Sequence, residues 1–182
     1  MIPAALPDLL DVGCGFRKAA GAWGIDGHAY PGVDQVLDLD QMPWPLPADH
    51  FNRVVSHHVI EHVASIPVFL REIHRVSRDG CEITISTPHF TGINSWADPT
   101  HRWHLACAWH VPFTDASRYM QDQLPAFEHV STKVKFPGGP FSQLGRLLCR
   151  WRGPLRWEER FGWQFPASEF TTCLRVRKSR SS

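Results

Sequence analysis

A short apolar run that ends in two closely spaced glycines constrains this chain more than any other feature. Leu9–Val12 leads into Gly13-Cys14-Gly15, and a second short run ends at Asp26. Because glycine has no Cβ, its backbone can take turn conformations and lie directly against a bound molecule. The pattern is typical of a buried parallel strand that runs into a ligand loop. A carboxylate at the end of the next strand can accept both hydroxyl hydrogens of a ribose, so the two features predict a nucleoside site.

The identity of the nucleoside depends on how the loop departs from the dinucleotide fingerprint. Lys18 stands where the third glycine of that fingerprint would fall. Asp11 precedes the first glycine by two residues, and Gly24-Ile25-Asp26 follows shortly after. This stretch resembles motifs I and II of the class I S-adenosylmethionine-dependent methyltransferases, of the type 11 kind.

The order of the following segments extends the resemblance. A predicted third strand over residues 32–40 carries carboxylates at its far end, and a Pro-Trp-Pro loop follows it. A predicted fourth strand, Phe51–Ser56, runs into the turn His57–His62. A helix, a glycine and a fifth strand come next, in the family's order. The resemblance covers about residues 9–89.

The resemblance implies S-adenosylmethionine as the cofactor and a set of residues that contact it. In the family, the residues matching Asp38 and Leu39 lie near the adenine, and those matching Ser56 and His57 approach the amino-acid end of the cofactor. The positions that match cofactor-binding residues are Asp11, Gly13, Cys14, Gly15, Asp26, Asp38, Leu39, Ser56 and His57.

Periodicity predicts the remaining elements. The helix after the His-Val-Ile-Glu-His turn has Ser65 as N-cap and ends at Gly80, and strand five covers residues 81–87. A sixth strand over 130–136, a helix over 141–152 and a last strand over 170–176 follow. On the later helix, four large apolar residues share one face and three arginines lie off it, namely Phe141, Leu144, Leu148 and Trp151 with Arg146, Arg150 and Arg152. This predicts a core-packing helix with a solvated face, while a basic amphipathic helix on a membrane surface is the alternative.

These elements predict an α/β fold. We expect a doubly wound, Rossmann-like, mostly parallel seven-stranded sheet with an antiparallel C-terminal hairpin and helices on both faces. Only seven residues are available for the first crossover, so the N-terminal region is abbreviated. With the resemblance, we expect residues 1–182 to form a single methyltransferase domain, with a cofactor-binding core over 9–89, a variable substrate-facing segment over 90–129 and C-terminal strands and helix over 130–178.

Histidines around the variable segment are the candidate catalytic groups. A positioned acceptor is the main requirement of methyl transfer, and a hydroxyl acceptor also benefits from a general base, for which histidine has a suitable pKa. His89 follows the fifth strand and His101 lies in the variable segment, where Asp98 can orient one of them. The predicted reaction moves a methyl group to a hydroxyl or amine of a small metabolite or sugar.

A second chemistry is present in the same sequence. His58-Val59-Ile60-Glu61-His62 matches the reversed zinc-peptidase signature, in which two histidines one helical turn apart bind zinc and the glutamate acts as base. That signature needs a sustained helix, yet a predicted strand ends just before it and Pro67 follows soon after it. We therefore predict no metal site, and keep the zinc hydrolase as an alternative.

Composition and charge limit the other functions. The net charge of +1 divides into an acidic part through Thr132 and a basic part from Lys133 onward, which suit a cationic cofactor and an anionic partner. Five cysteines without C-x-x-C spacing argue against disulfides and favour the cytoplasm. The sequence contains no run of 18 apolar residues, so we predict no membrane-spanning segment. Residues 87–90, Thr-Pro-His-Phe, do not match a base-methylation motif, which makes nucleic acid a weaker partner than a small molecule. A non-catalytic module that binds the cofactor or a nucleoside is the remaining alternative, and a homodimer is left open.

Overall fold

The computed structural model describes residues 6–114 and 125–178, which form one seven-stranded sheet with helices around it. The strand order is β3-β2-β1-β4-β5-β7-β6. Strands β1 (Leu9–Val12), β2 (Trp23–Asp26), β3 (Gln35–Val36), β4 (Phe51–His57) and β5 (Ser77–Pro88) are parallel to their neighbours. This confirms the predicted doubly wound, Rossmann-like sheet.

The C-terminal strands complete the sheet in the opposite direction. Strand β7 (Glu169–Val176) lies antiparallel between β5 and β6 (Phe127–Lys135), which forms the predicted antiparallel hairpin. Strand β1, which lies between β2 and β4, is buried along its whole length. Hydrophobic runs of this kind are expected when a parallel sheet is covered on both sides.

Helix α1 (Ile66–Val76) covers the sheet with the apolar stripe that the sequence predicted. Phe69, Leu70, Ile73 and Val76 are all fully or almost fully buried in the main core. The helix ends four residues earlier than expected, because Ser77 already belongs to β5. Gly80, with φ of 79°, lies where the β4–β5 register shifts, so it serves a bulge and does not end the helix.

Of the other described helices, one lies where the sequence predicted a helix over 141–152, and the rest were not predicted. The segment after β5 contains α2 (Ile93–Ala97) and α3 (Val111–Thr114). Helix α4 (Pro140–Arg152) is followed at once by α5 (Pro154–Phe161), which the sequence did not predict. Strand β3 spans only two residues of the predicted 32–40, because most of that segment forms turns. None of the helices described over 6–114 and 125–178 is both long and apolar enough to cross a membrane.

Helix α4 packs with a face other than the one predicted, and of the four predicted apolar residues only Leu148 packs against the core. Its buried residues are Ser142, Gly145 and Cys149, whereas Phe141 and Trp151 are exposed. The prediction of a core-packing apolar face is therefore wrong for this helix. The second, smaller core is formed by Cys149 of α4 and Trp157 of α5, together with Phe136 and Ala167.

Candidate functional site

The order of the strands reverses between β1 and β4, and the candidate site lies at this reversal. The chain builds β1, β2 and β3 outward in one direction and then returns to place β4 and β5 on the other side of β1. In open α/β sheets, ligands bind beyond the carboxyl ends of the strands at such a point. The glycine loop after β1 and the histidine turn after β4 therefore meet there.

The close contact between the glycine loop and the turn after β4 requires a glycine at position 13. Its φ is +70°, and a Cβ at this position would lie 2.1 Å from Cγ2 of Val59, which belongs to the turn after β4. A side chain would be strained and would also push the two loops apart. The glycine keeps the loop and the turn in direct contact.

Asp26 holds the glycine loop in place from the end of β2. Its two carboxylate oxygens accept hydrogen bonds from the backbone N–H of Gly15 and of His28, each at 2.9 Å. The side chain is nearly buried, but each carboxylate oxygen has a second lone pair available to a ligand. Asp34 supports the same region by accepting from the Gly24 N–H at 2.7 Å and from Lys18 Nζ at 2.6 Å.

A cavity of about 540 Å³ opens beside this loop. Four of the nine predicted cofactor residues line it, namely Gly13, Asp26, Asp38 and Leu39. Its lining combines carboxylates with apolar surface and aromatic edges, from Tyr30, Asp40, Val59 and Val63 among others. Phe16 is exposed near the loop and contacts Tyr30, with a distance of 4.0 Å between ring centroids. We call this space the cofactor cavity.

The other five predicted cofactor residues do not line the cofactor cavity. Asp11 is buried and accepts the Ala19 N–H at 2.7 Å, and burial raises the pKa of its carboxyl. Burial, followed by Asp11 and Asp26, raises the pKa of the Cys14 thiol to about 11. Gly15 lies in the loop itself, with φ of +50° and open space where a Cβ would be. Ser56 is fully buried, whereas His57 beside it is exposed.

A second cavity of about 590 Å³ adjoins the first. The two cavities share His58 and His62, which line both. The second is otherwise lined by residues of the strand β5 end and the variable segment, namely Pro88, Asn94, Ala97, Asp98, Pro99 and His101. We call it the acceptor cavity. It brings together two of the three predicted catalytic residues, Asp98 and His101.

The contacts of His101 define which nitrogen can accept a proton. Nδ1 lies 2.9 Å from the carbonyl oxygen of Ser95, so Nδ1 carries the hydrogen and Nε2 carries the lone pair. The side chain is only 7% exposed. Asp98 does not orient the ring through Nδ1, because its Oδ2 lies 3.8 Å from Nε2. Its predicted orienting role is therefore corrected: the Ser95 carbonyl orients the ring, and Asp98 faces the nitrogen that would become charged.

His62 is held in a similar way. Its Nδ1 lies 3.0 Å from Oγ1 of Thr100, and that hydroxyl donates to Asp98 Oδ1 at 2.6 Å. The Thr100 oxygen therefore accepts the Nδ1 hydrogen, and His62 also presents an Nε2 lone pair. The rings of His62 and His101 lie edge to face, with 4.7 Å between centroids. Hydrogen bonds from Thr100 lower the pKa of Asp98, which keeps it ionised.

His89 lies apart from both cavities. It is fully buried, with Nδ1 2.6 Å from Thr91 Oγ1 and Nε2 3.4 Å from Glu158 Oε2. Its ring packs against Trp157 and Phe170. Both nitrogens are occupied by internal partners, so the structure separates His89 from the other two predicted catalytic residues.

The zinc-peptidase signature is not on a helix. His58 has φ of +56° and the chain then makes a turn, with the His62 N–H bonded to the Val59 carbonyl oxygen. Glu61 is buried, and its oxygens contact His58 Nδ1 at 3.2 Å and Thr87 Oγ1 at 3.0 Å. His58 Nε2 also lies 3.2 Å from Glu169. These carboxylates, Glu61 first, raise the pKa of His58.

Two groups of side chains among the described residues have metal-ligand types at short range. Glu61, His62 and His101 place ligand atoms within 4.8 Å of one another, as do His89, Cys107 and Glu158. In the first group, each oxygen of the glutamate already has one protein partner, His58 Nδ1 for one and Thr87 Oγ1 for the other. In the second, Glu158 accepts the Cys107 N–H and contacts His89. The members of the first group are hydrogen-bonded to residues outside it, and those of the second are bonded to one another, so the absence of a metal site stays a prediction.

Sequence reasoning missed the role of the turn after β4 in joining the two cavities. The sequence indicates His58 and His62 only as part of the family's turn and as the alternative zinc ligands, and it indicates no role for Thr100. A signal was present: the His-Val-Ile-Glu-His turn follows the strand that pairs with β1, so its side chains must reach the edge where the glycine loop lies.

Comparison with known proteins identifies the family. The methyltransferase domain family matches residues 3–141. No curated protein sequence matches the chain. Among solved structures, the fold is similar to the YcgJ protein from Bacillus subtilis, with 14% identity, 96% of this chain and 94% of that chain covered, and a TM-score of 0.60. An S-adenosylmethionine-dependent methyltransferase from Mesorhizobium loti shares 15% identity over 96% of this chain and 93% of its own, with a TM-score of 0.57. An S-adenosylmethionine-dependent methyltransferase from Archaeoglobus fulgidus shares 16% identity over 92% of this chain and 85% of its own, with a TM-score of 0.57.

The chain belongs to the methyltransferase domain family and is a class I methyltransferase that uses S-adenosylmethionine. The cofactor cavity fits this cofactor on its own chemistry. A glycine loop allows close approach, Asp26 offers free carboxylate lone pairs to a ribose, and the carboxylates of Asp26, Asp38 and Asp40 suit a cationic sulfonium.

Proposed function

We propose that this chain transfers a methyl group from S-adenosylmethionine in the cofactor cavity to a hydroxyl or amine of a small metabolite or sugar in the acceptor cavity. The observation that carries the proposal is the junction of the two cavities at His58 and His62. Methyl transfer requires two ligands in contact and in line, and two adjoining cavities provide separate places for them.

The cofactor side of the proposal rests on the strand ends. Asp26 would accept the ribose hydroxyls, and Asp38 with Leu39 would lie at the adenine, since all three line the cofactor cavity. The glycine loop would follow the backbone of the ligand. The cofactor supplies an activated methyl group, and the protein contributes position and orientation.

The acceptor side of the proposal rests on His101. For a hydroxyl acceptor, Nε2 of His101, which carries the lone pair, would take the hydroxyl proton as the methyl carbon exchanges its bond to sulfur for one to oxygen, with S-adenosylhomocysteine as the leaving group. The ring would then be an imidazolium, with its Nδ1 hydrogen still donated to the Ser95 carbonyl. The ionised Asp98, 3.8 Å from Nε2, would stabilise that positive charge.

His62 would position the acceptor at the junction. It lines both cavities and its ring contacts that of His101. Its Nε2 lone pair can accept a hydrogen bond from a second polar group of the acceptor. A small molecule with two or more hydroxyl or amine groups would satisfy both histidines, and a sugar has this character.

A cavity-filling pair of variants tests the proposed function. Ala97 lines the acceptor cavity and Ala108 does not, although both are exposed alanines. The wild-type protein is incubated with S-adenosylmethionine and panels of small hydroxyl and amine compounds, and acceptor-dependent release of S-adenosylhomocysteine is measured. With the acceptor so found, we expect Ala97→Trp to lower kcat/KM by about tenfold or more while S-adenosylhomocysteine affinity is retained.

Ala108→Trp is the matched control and should keep the wild-type rate. Equal rates in both variants would show that the acceptor binds elsewhere. Methylation of a protein or nucleic acid, with no turnover of any small compound, would contradict the proposed substrate class.

A further inference from the structure

Helix α4 presents its large apolar side chains to the outside of the molecule. Phe141 is 78% exposed, Leu147 62% and Trp151 70%, and Leu144 lies between them on the same surface. The residues it buries are the small ones, Ser142, Gly145 and Cys149. A helix of an ordinary globular domain shows the reverse arrangement. We call the outward surface of Phe141, Leu144, Leu147 and Trp151 the α4 apolar face.

The packing beneath the helix fixes this orientation. A Cβ on Gly145 would lie 2.9 Å from Cβ of Phe165 and 3.0 Å from Cε1 of Phe136. The helix therefore sits so close to the second core that glycine is needed at the contact. Rotation of the helix to bury Leu144 and Leu147 would bring side chains into a space that the two phenylalanines and Trp157 already fill.

The surroundings of the apolar face are basic. Helix α4 contains three arginines and no acidic residue, and the Arg152 guanidinium stacks 4.0 Å from the ring centroid of Trp151. A cavity of about 670 Å³ between α4 and β6 is lined by Lys133, Arg146 and Arg150, and none of the described residues that line it is acidic. Arg146 also donates to the backbone oxygens of Phe136 and Pro137, which places its guanidinium at the edge of that cavity.

We propose that α4 docks this methyltransferase on an anionic lipid bilayer. The α4 apolar face would enter the boundary between headgroups and acyl chains, where tryptophan and phenylalanine are favoured. The flanking arginines and Lys133 would lie against lipid phosphates, with room for a headgroup in the cavity beside α4. The 13 residues of the helix would lie about 20 Å along the surface without crossing it.

The positive charge around the α4 apolar face favours an anionic bilayer over a second copy of this chain or another protein. A second copy of the chain, docked face to face, would bring the same arginines together and repel them. A protein partner would need an acidic rim around an apolar groove, whereas an anionic bilayer offers both features in one surface. Trp163, 71% exposed, and Leu155 on the adjoining segment add further apolar surface.

Vesicle flotation tests the proposal with the full chain. The probes are vesicles of phosphatidylcholine alone and of phosphatidylcholine with phosphatidylglycerol in a ratio of about three to one. We expect about tenfold more protein to float with the anionic vesicles, and this excess to fall at high salt. The double variant Phe141→Ser, Trp151→Ser should float at least about tenfold less than the wild type.

Two matched controls distinguish vesicle binding through the α4 apolar face from non-specific binding of any exposed apolar or basic residue. Ile93→Ser removes an apolar side chain that is also 78% exposed, but on α2, and should float as the wild type does. Arg71→Gln removes an exposed arginine of α1 and should have little effect, whereas Arg146→Gln with Arg150→Gln should abolish the preference for anionic vesicles. Equal melting temperatures and equal S-adenosylhomocysteine affinity in all variants show that each is folded.

Three results would overturn the proposal. The first is no flotation of the wild type with either vesicle, and the second is equal flotation of the wild type and the α4 double variant. The third is a wild-type dimer in light scattering that the double variant abolishes without any vesicle binding, which would assign the face to a second copy. None of these bears on methyl transfer, so the proposed function can stand or fall separately.

Discussion

The two cavities of the site are built by different means, although they share His58 and His62. The cofactor cavity is formed by loops at the ends of parallel strands, and its main contacts use glycine backbone and carboxylates held by backbone N–H groups. The acceptor cavity is formed by the turn after β4 and the segment after β5, where the Ser95 carbonyl holds His101 and Thr100 joins His62 to Asp98.

The difference assigns separate tasks to the two regions. The positions of the strand ends are fixed by the whole sheet, so they suit a cofactor that is the same in every reaction. An irregular segment can vary its side chains without disturbing the sheet, so it suits the selection of an acceptor. Substitutions on the cofactor side should therefore alter cofactor affinity or stability, and substitutions on the acceptor side should alter turnover.

The largest effect is expected for His101→Ala. Loss of the base should lower kcat for a hydroxyl acceptor by about 10²–10⁴-fold and leave S-adenosylhomocysteine affinity nearly unchanged. Steady-state kinetics and calorimetry measure the two quantities. His129→Ala, an exposed histidine outside both cavities, is the control and should keep the wild-type rate. A raised acceptor KM with an intact kcat would instead make His101 a positioning residue.

On the cofactor side, Asp26→Ala should weaken S-adenosylhomocysteine binding by about tenfold or more, since hydrogen bonds to a charged acceptor contribute roughly 1.5–3 kcal/mol. At saturating cofactor, kcat should change much less than in His101→Ala. Asp79→Ala, an exposed aspartate outside both cavities, should bind as the wild type does. Unchanged affinity in the folded Asp26 variant would remove it from the ribose contact.

Gly13→Ala tests the contact between the two regions. The added Cβ would meet Val59 at 2.1 Å in a backbone with φ of +70°, so we expect a loss of about 1–3 kcal/mol in the free energy of unfolding, measured by denaturant titration. Cofactor affinity should fall as well, because the loop moves. Gly138→Ala, with open space and no positive φ, should cost less than about 1 kcal/mol. Equal costs in the two variants would contradict the packing described at Gly13.

A further prediction concerns the pH dependence of stability and a buried histidine outside both cavities. Burial, followed by His129 at 4.1 Å between ring centroids, lowers the pKa of His110 to about 4. As pH falls from the ordinary histidine value of about 6.5 toward this folded value, the unfolded chain takes up the proton first, and stability is lost across that window. We expect the free energy of unfolding to fall by about 1–3 kcal/mol there.

The His110→Phe variant should lose less stability over the same interval, because it has no proton to take up at that position. Denaturant titration at several pH values between these limits measures both slopes. Parallel slopes would show that other carboxyl and histidine groups account for the acid sensitivity.

The smallest expected effect concerns metal. Because Glu61, His62 and His58 are bound to protein partners in a turn, elemental analysis of the purified protein should find much less than one zinc per chain. Chelator treatment should leave turnover unchanged. One zinc per chain that is lost in a His62→Ala, His101→Ala double variant would assign these residues to a metal centre.

The cofactor side could be predicted from sequence because its signals are local. A strand, a turn and a second strand are indicated within about 20 residues by Gly13, Gly15 and Asp26. Because the two strands are neighbours in the sheet, the glycine loop and Asp26 lie close together. The helix α1 stripe from Phe69 to Val76 was equally direct, since its period matches its burial. Of the cofactor residues that the resemblance alone supplied, Asp38 and Leu39 line the cavity, whereas Ser56 and His57 do not.

The acceptor side and α4 could not be predicted, for two physical reasons. His62, Thr100 and Asp98 form one hydrogen-bonded chain across 38 residues of sequence, and no periodic pattern reports such a contact. Helix α4 has a clear apolar period, but which face packs inward depends on the space left by Phe136, Phe165 and Trp157. A hydrophobic pattern predicts that a face exists, and only the tertiary structure shows what covers it.

The most direct test of the central claim is calorimetric titration of the wild type with S-adenosylhomocysteine. We expect one saturable site per chain, an affinity that falls by about tenfold or more in Asp26→Ala, and the wild-type affinity in His101→Ala. That result would place the cofactor at the glycine loop and the chemistry on the acceptor side. Absence of binding to the folded protein, or equal weakening in both variants, would contradict the division of the site into two cavities.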